Sequence, residues 1–85
     1  MKNFSYTIKD KEGIHARPAG LLVKLAATYP CAVKICKDSK EADAKRIFAV
    51  MGLAVKCGET IEVIADGAKE EDAIAELETF MKDNL

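Results

Sequence analysis

Tryptophan is absent from this chain, histidine occurs once and proline twice, and only 6% of its 85 residues are aromatic. Each scarcity removes a class of explanation. A chain with one imidazole cannot build a multi-histidine metal cage, and a fold with few large rings must fill its core with aliphatic side chains. No apolar run approaches the ~20 residues needed to span a bilayer. The N-terminal Met1-Lys2-Asn3-Phe4-Ser5 lacks the apolar stretch and small-residue cleavage site of a signal peptide, so the expected compartment is the cytoplasm, with no direct membrane insertion. Charge of one sign is lacking too: Lys plus Arg number 13 and Asp plus Glu 14, a formal charge of −1. That balance argues against a whole-surface binder of nucleic acid. Three cysteines, Cys31, Cys36 and Cys57, are an odd number with no C-x-x-C pair, which predicts reduced thiols and no metal site.

What is present is ordinary globular material, 49% hydrophobic and 32% charged. The length suits a single domain over residues 1–85. Phe4, Tyr6 and Ile8 alternate with polar neighbours, the period of two of a half-buried strand. Asp10-Lys11-Glu12-Gly13 reads as a loop delivering the chain to His15. From Ala16 to Tyr29, Leu21, Leu22, Leu25 and Tyr29 predict one helical stripe, with Pro18 tolerated in the first turn and Pro30 ending the helix. Val33 and Ile35, a turn at Asp38-Ser39-Lys40, and an extended stretch from Glu41 to Ala44 predict a hairpin. Ile47 to Leu53 reads as a short helix with Ile47, Val50 and Met51 on one side. Thr60 to Asp66 alternates as a strand. Glu70, Glu71 and Asp72 place negative charge at the start of a last helix with Ile74, Leu77 and Met81 as its buried stripe. The order is βαββαβα. It predicts an α+β fold, an open-faced two-layer sandwich of one four-stranded antiparallel sheet covered on one face by three helices.

The chemistry concentrates around His15. Between a loop ending in Gly13 and a helix containing Pro18, His15 falls at or beside the helix N-cap. There the first turn offers unpaired amides, those of Ala16 and Arg17, and a partial charge of roughly +0.5 e. That charge favours the neutral imidazole, the form with a nucleophilic nitrogen. Arg17 adds a planar guanidinium that matches phosphate oxygens. The set suits phosphoryl transfer, where positioning and charge stabilisation do most of the catalysis. The bland reading is a histidine that caps its helix and a solvated arginine. Ala16, Gly20, Lys24 and Ala27 share the adjoining helix face, smooth apart from one lysine and open to close approach by an acidic partner. Ile47 and Phe48 cannot both enter the core if Val50 and Leu53 do, so this exposed apolar pair is a candidate docking patch.

Gly13-Ile14-His15-Ala16-Arg17-Pro18-Ala19 resembles the active-site signature of the HPr family, phosphocarriers of the bacterial phosphoenolpyruvate-dependent sugar phosphotransferase system. The resemblance continues through Lys45 to Met51 with Leu53, the Gly58 turn, Ile61-x-Val63, Gly67 and the acidic start of the last helix. It implies that His15 takes a phosphoryl group on Nδ1 from phospho-enzyme I and passes it to enzyme IIA proteins or domains. Arg17 would stabilise the moving group, while Ala16, Gly20, Lys24, Ile47, Phe48 and Met51 would form the docking surface. It implies a carrier, not an enzyme, with no cofactor, and a monomer is expected. One departure stands out: Arg46 occupies the place where many Gram-positive-type relatives carry a serine phosphorylated in carbon catabolite repression. Arginine has no hydroxyl to phosphorylate, and Ser39, in a turn, is no substitute. Gly20, Ala49 and Gly52 are milder departures, altering sizes in the docking region.

Two rival classes compete with this reading. A specialised paralogue acting as a regulatory or interaction module would use the same surface without sustained phosphotransfer; the presence of both His15 and Arg17 speaks against it. A nucleic-acid binder would need a basic sheet with exposed aromatics, yet Phe4 and Tyr6 fall on the core side.

Overall fold

The computed structural model describes all residues 1–85. In chain order the elements are β1 (Lys2–Thr7), α1 (Ala16–Ala27), β2 (Ala32–Lys37), β3 (Lys40–Asp43), α2 (Ile47–Gly52), β4 (Thr60–Asp66) and α3 (Glu70–Asn84). This is the βαββαβα order and open-faced α+β sandwich that the hydrophobic periodicities lead one to expect. The strands form one antiparallel sheet in the order β1-β4-β2-β3. Register places Phe4 against Val63, Tyr6 against Ile61, and Ile35 between Val63 and Ala42, so one face of the sheet carries the apolar set. The other face is polar and open. On it Asn3 Nδ2 donates to Glu62 Oε2 at 2.7 Å, and the Thr7 and Thr60 hydroxyls meet at 2.8 Å.

Twenty buried residues, almost all aliphatic, make one core between the sheet and the helices. From α1 the core takes Pro18, Ala19, Leu22 and Ala26, and from α3 Ala73, Leu77 and Met81. The phase of the buried stripes needs correcting here. Leu21 is 47% exposed and does not belong to the buried stripe. At 100° per residue it sits well around the helix from Leu22, one turn from Arg17 and beside Lys24. Met51 is exposed (38%), because α2 is too short to wind a second apolar residue back beneath itself once Val50 and Leu53 are buried; of Ile47, Val50 and Met51 only Val50 is fully buried. In α3, Ala73 is fully buried while Ile74 is half-buried, a rotation of one position.

Helix α1 also ends earlier than its pattern suggests, at Ala27 rather than Tyr29. Pro30 excludes the α region for Tyr29, and the chain leaves through tightened bonds from Thr28 N–H to the Leu25 oxygen and from Tyr29 N–H to the Ala26 oxygen. Tyr29 then reaches α3, where its hydroxyl donates to the Glu76 carboxylate; that bond raises the phenol's pKa above its ordinary value.

The loop between β1 and α1 is braced from two sides. The N–H groups of Lys9 and Asp10 both donate to the main-chain oxygen of Leu85, at 2.6 and 2.8 Å. Farther along, Gly13 takes φ +68° and crosses the segment after α2 so closely that a Cβ there would lie 2.2 Å from the Val55 oxygen. Ile14 N–H donates to that same oxygen at 3.1 Å. Gly13→Ala must therefore push the two segments apart as well as hold a left-handed conformation, and is expected to destabilise the fold by at least about 2 kcal/mol. Denaturant unfolding checks this: an unchanged midpoint would mean that the crossing is not tight.

Candidate functional site

His15 is the N-cap of α1, with φ −102° and ψ −175°, and its side chain makes no capping hydrogen bond. The bland reading of a histidine that merely caps its helix does not hold. The N-cap backbone is extended and its imidazole leaves the first-turn amides unbonded, while its carbonyl oxygen starts the helix by accepting from Ala19 N–H at 3.0 Å. Pro18 fills the third helical position, where a missing N–H loses nothing. The amides of Ala16 and Arg17 have no carbonyl one turn back, so they remain the unpaired donors of a helix N-terminus. No acidic residue lies in this first turn to occupy that positive end. Arg17 is exposed and engaged in no salt bridge, leaving its guanidinium available.

The loop contributes two groups that reading for motifs passed over. His15 Nε2 lies 3.4 Å from Glu12 Oε2 and 3.9 Å from Asp10 Oδ2. The imidazole is therefore held between the positive end of a helix and two carboxylates. Asp10 is fixed for this role by a local turn, in which Glu12 N–H donates to Asp10 Oδ1 at 2.9 Å and Gly13 N–H to the Asp10 carbonyl at 3.0 Å. Asp and Glu at these positions look like ordinary loop polarity in the sequence. Only the back-turn at Asp10 reveals that they face the imidazole.

Beside this corner lies a continuous apolar surface. Gly20 on α1 sits against α2, where an added Cβ would rest 3.8 Å from Ile47 Cδ1. Phe48 is 86% exposed and Met51 38%, whereas exposed Leu21 lies on the α3 side of α1, beside Phe80. Ala16 and Lys24 are exposed on the same helix, while Ile47 is half-buried and links the patch to the core. Withholding a phenylalanine side chain from burial forgoes roughly 1.5–3 kcal/mol. So large an omission in a small domain makes this surface a candidate for contact.

Arg46 is the N-cap of α2, is 80% exposed at the side chain, and makes no capping bond; its only ionic contact is Nε to Asp43 Oδ2 at 3.8 Å. Its charge stands at the edge of the Phe48 patch. Cys31 is buried, Cys36 half-buried and Cys57 exposed, all as free thiols. No helix is long and apolar enough to cross a membrane.

Comparison with known proteins agrees with this geometry. Residues 2–83 match the family described as the PTS HPr component phosphorylation site. The chain is 39% identical over 83 residues to the phosphocarrier protein HPr of Mycoplasma capricolum, covering 98% of this chain and 93% of that one. Its fold superposes with a TM-score of 0.93 on HPr from Thermoanaerobacter tengcongensis, at 37% identity and with 98% and 93% of the two chains covered. It superposes less closely, at 0.79 and 34% identity, on the catabolite repression protein Crh of Bacillus subtilis, covering 94% and 92%. The chain belongs to the HPr family of phosphocarrier proteins.

Proposed function

We propose that His15 is the residue that carries the phosphoryl group, on Nδ1, accepting it from phospho-enzyme I and passing it to enzyme IIA proteins or domains. The observation that carries this reading is the imidazole itself, uncapped at the N-terminus of α1 with Nε2 turned to the carboxylates of Glu12 and Asp10. A phosphoryl group on Nε2 would meet two negative charges at close range; Nδ1 avoids them. In the transfer, the Nδ1 lone pair forms the new N–P bond as the donor's N–P bond breaks, and the donor nitrogen keeps the electron pair. Arg17 and the amides of Ala16 and Arg17 receive the oxygens, supplying positive charge where it develops. The chain acts as a substrate of other proteins and not as an enzyme. It works in the cytoplasm as a monomer and needs no cofactor for this step.

Ala16, Gly20, Lys24, Ile47, Phe48 and Met51 form the docking surface in this reading. Arg46 replaces a seryl switch. Phosphoserine there would add about two negative charges beside the patch, whereas arginine keeps a positive one facing acidic partners. The likeness to Crh favours a second reading, a regulatory module that docks without sustained transfer. The availability of both His15 and Arg17 favours the carrier.

Incubation with phosphoenolpyruvate, magnesium and enzyme I, followed by intact-mass measurement, separates these readings. One acid-labile phosphoryl group is expected on the native chain and none on His15→Ala; an unmodified native chain would leave only the regulatory module. Phe48→Ala should leave stability within about 0.5 kcal/mol, its side chain being largely in water, while raising the KM of enzyme I for this chain. Unchanged kinetics would remove Phe48 from the docking surface. Incubation with the seryl kinase of Gram-positive relatives and ATP should add no phosphate, and stoichiometric seryl phosphorylation would defeat the assignment of Arg46.

A further inference from the structure

Asp10, Glu12 and His15 bring three metal-ligating side chains together, with donor atoms all within 4.8 Å of one another. The separations of 3.4 and 3.9 Å between Nε2 and the two carboxylate oxygens are longer than a good N–H···O hydrogen bond. They lie closer to the roughly 3.3–3.5 Å that separates two ligands of a tetrahedral zinc ion with bonds of about 2.0–2.2 Å. Neither carboxylate is paired with a lysine or arginine; the imidazole is their one ionic neighbour. Asp10 uses Oδ1 to accept the Glu12 amide, which leaves Oδ2 directed at the ring. The loop bearing both acids is clamped through Lys9 and Asp10 to the Leu85 oxygen, and through Ile14 to Val55, so the donors are mounted on fixed backbone. An imidazole with two carboxylates suits a borderline cation; calcium and magnesium prefer all-oxygen sites.

We infer that Asp10, Glu12 and His15 form a zinc site, with Zn²⁺ on Nε2 and on one oxygen of each carboxylate, its fourth position open to solvent. Zinc takes the Nε2 lone pair, so the ring's remaining proton resides on Nδ1. That nitrogen then has no lone pair to form an N–P bond. Zinc and the phosphoryl group therefore exclude each other on His15, a consequence that rests on the phosphocarrier reading although the site itself does not.

The test uses ¹⁵N-labelled Cys57→Ser protein, which removes the one exposed thiol able to compete for zinc. Titration with zinc chloride, followed by calorimetry and by the ring ¹⁵N signals of His15, should show one ion per chain, ligation through Nε2 and a proton on Nδ1. Glu12→Gln and Asp10→Asn should each weaken binding by about tenfold or more, at least the loss seen when metal-ligand supports are removed. His15→Gln should abolish it, with circular dichroism confirming the fold in each case. Ligation through Nδ1, absence of saturable binding, or equal affinity in the parent and both carboxylate variants overturns the inference. Zinc should also slow phosphorylation by enzyme I more in the parent than in Glu12→Gln, a comparison that cancels any effect on enzyme I. Binding with the expected variant effects but equal slowing would retain the site and overturn the Nδ1 assignment instead.

Discussion

The crossing of Gly13 over the Val55 carbonyl fixes everything that happens at His15. Two chain segments far apart in sequence meet there without room for a methyl group, and the next residue, Ile14, closes the contact with a hydrogen bond to the same oxygen. Ile14 is buried, so the chain has no freedom left when it reaches His15 one residue later. The N-cap geometry of His15 follows from that approach, and with it the orientation of the ring. Upstream, the Leu85 oxygen holds Lys9 and Asp10, so the carboxylates are fixed from the other end of the same loop. The core beneath is built of small and aliphatic side chains, and its task at this corner is to keep three segments pressed together.

The regular part of this architecture was legible because its periodicities are undisturbed. Strand β4 occupies Thr60 to Asp66, the bounds its alternation predicts, since it is central in the sheet and packed on both edges. The start of α1 was equally plain: Gly13 before it and Pro18 within its first turn leave little choice. Errors arose where a side chain had two plausible homes. Leu21 looks like core by residue type, yet burial of Leu22 and Ala19 rotates it to the surface. Hydrophobicity alone cannot assign the phase of a helix that has apolar residues on more than half its circumference.

The candidate site divides in the same way. His15, Ala16 and Arg17 are contiguous, so their cooperation is local and visible in the order of residues. Asp10 and Glu12 depend on a back-turn made by side-chain and main-chain bonds within the loop, and nothing in their identity distinguishes them from solvated loop acids. The docking patch is intermediate. That one of Ile47 and Phe48 must stay outside follows from counting inward positions, but the continuity of α1 with α2 requires the close approach at Gly20, where the missing side chain lets Ile47 lie against the helix. Its small size has a role at that spot that composition could not assign.

Placing a nucleophile between a helix N-terminus and two carboxylates sets opposite demands on one ring. The helix end and Arg17 present positive charge on one side of the imidazole, and the carboxylates of Asp10 and Glu12 present negative charge on the other. Because the two nitrogens are distinct, the demands need not conflict: Nε2 can face the acids while Nδ1 faces the anion. The fields then act as a sorting device. They decide which nitrogen is free to react, through charges that the phosphoryl group itself need not touch. Arg46 adds an exposed positive charge at the N-cap of α2, beside Phe48, and in the proposed reading that charge would attract acidic partners. If His15 carries the phosphoryl group as proposed, control of the transfer lies closer to the imidazole, in the loop of Asp10 and Glu12, than at the N-terminus of α2.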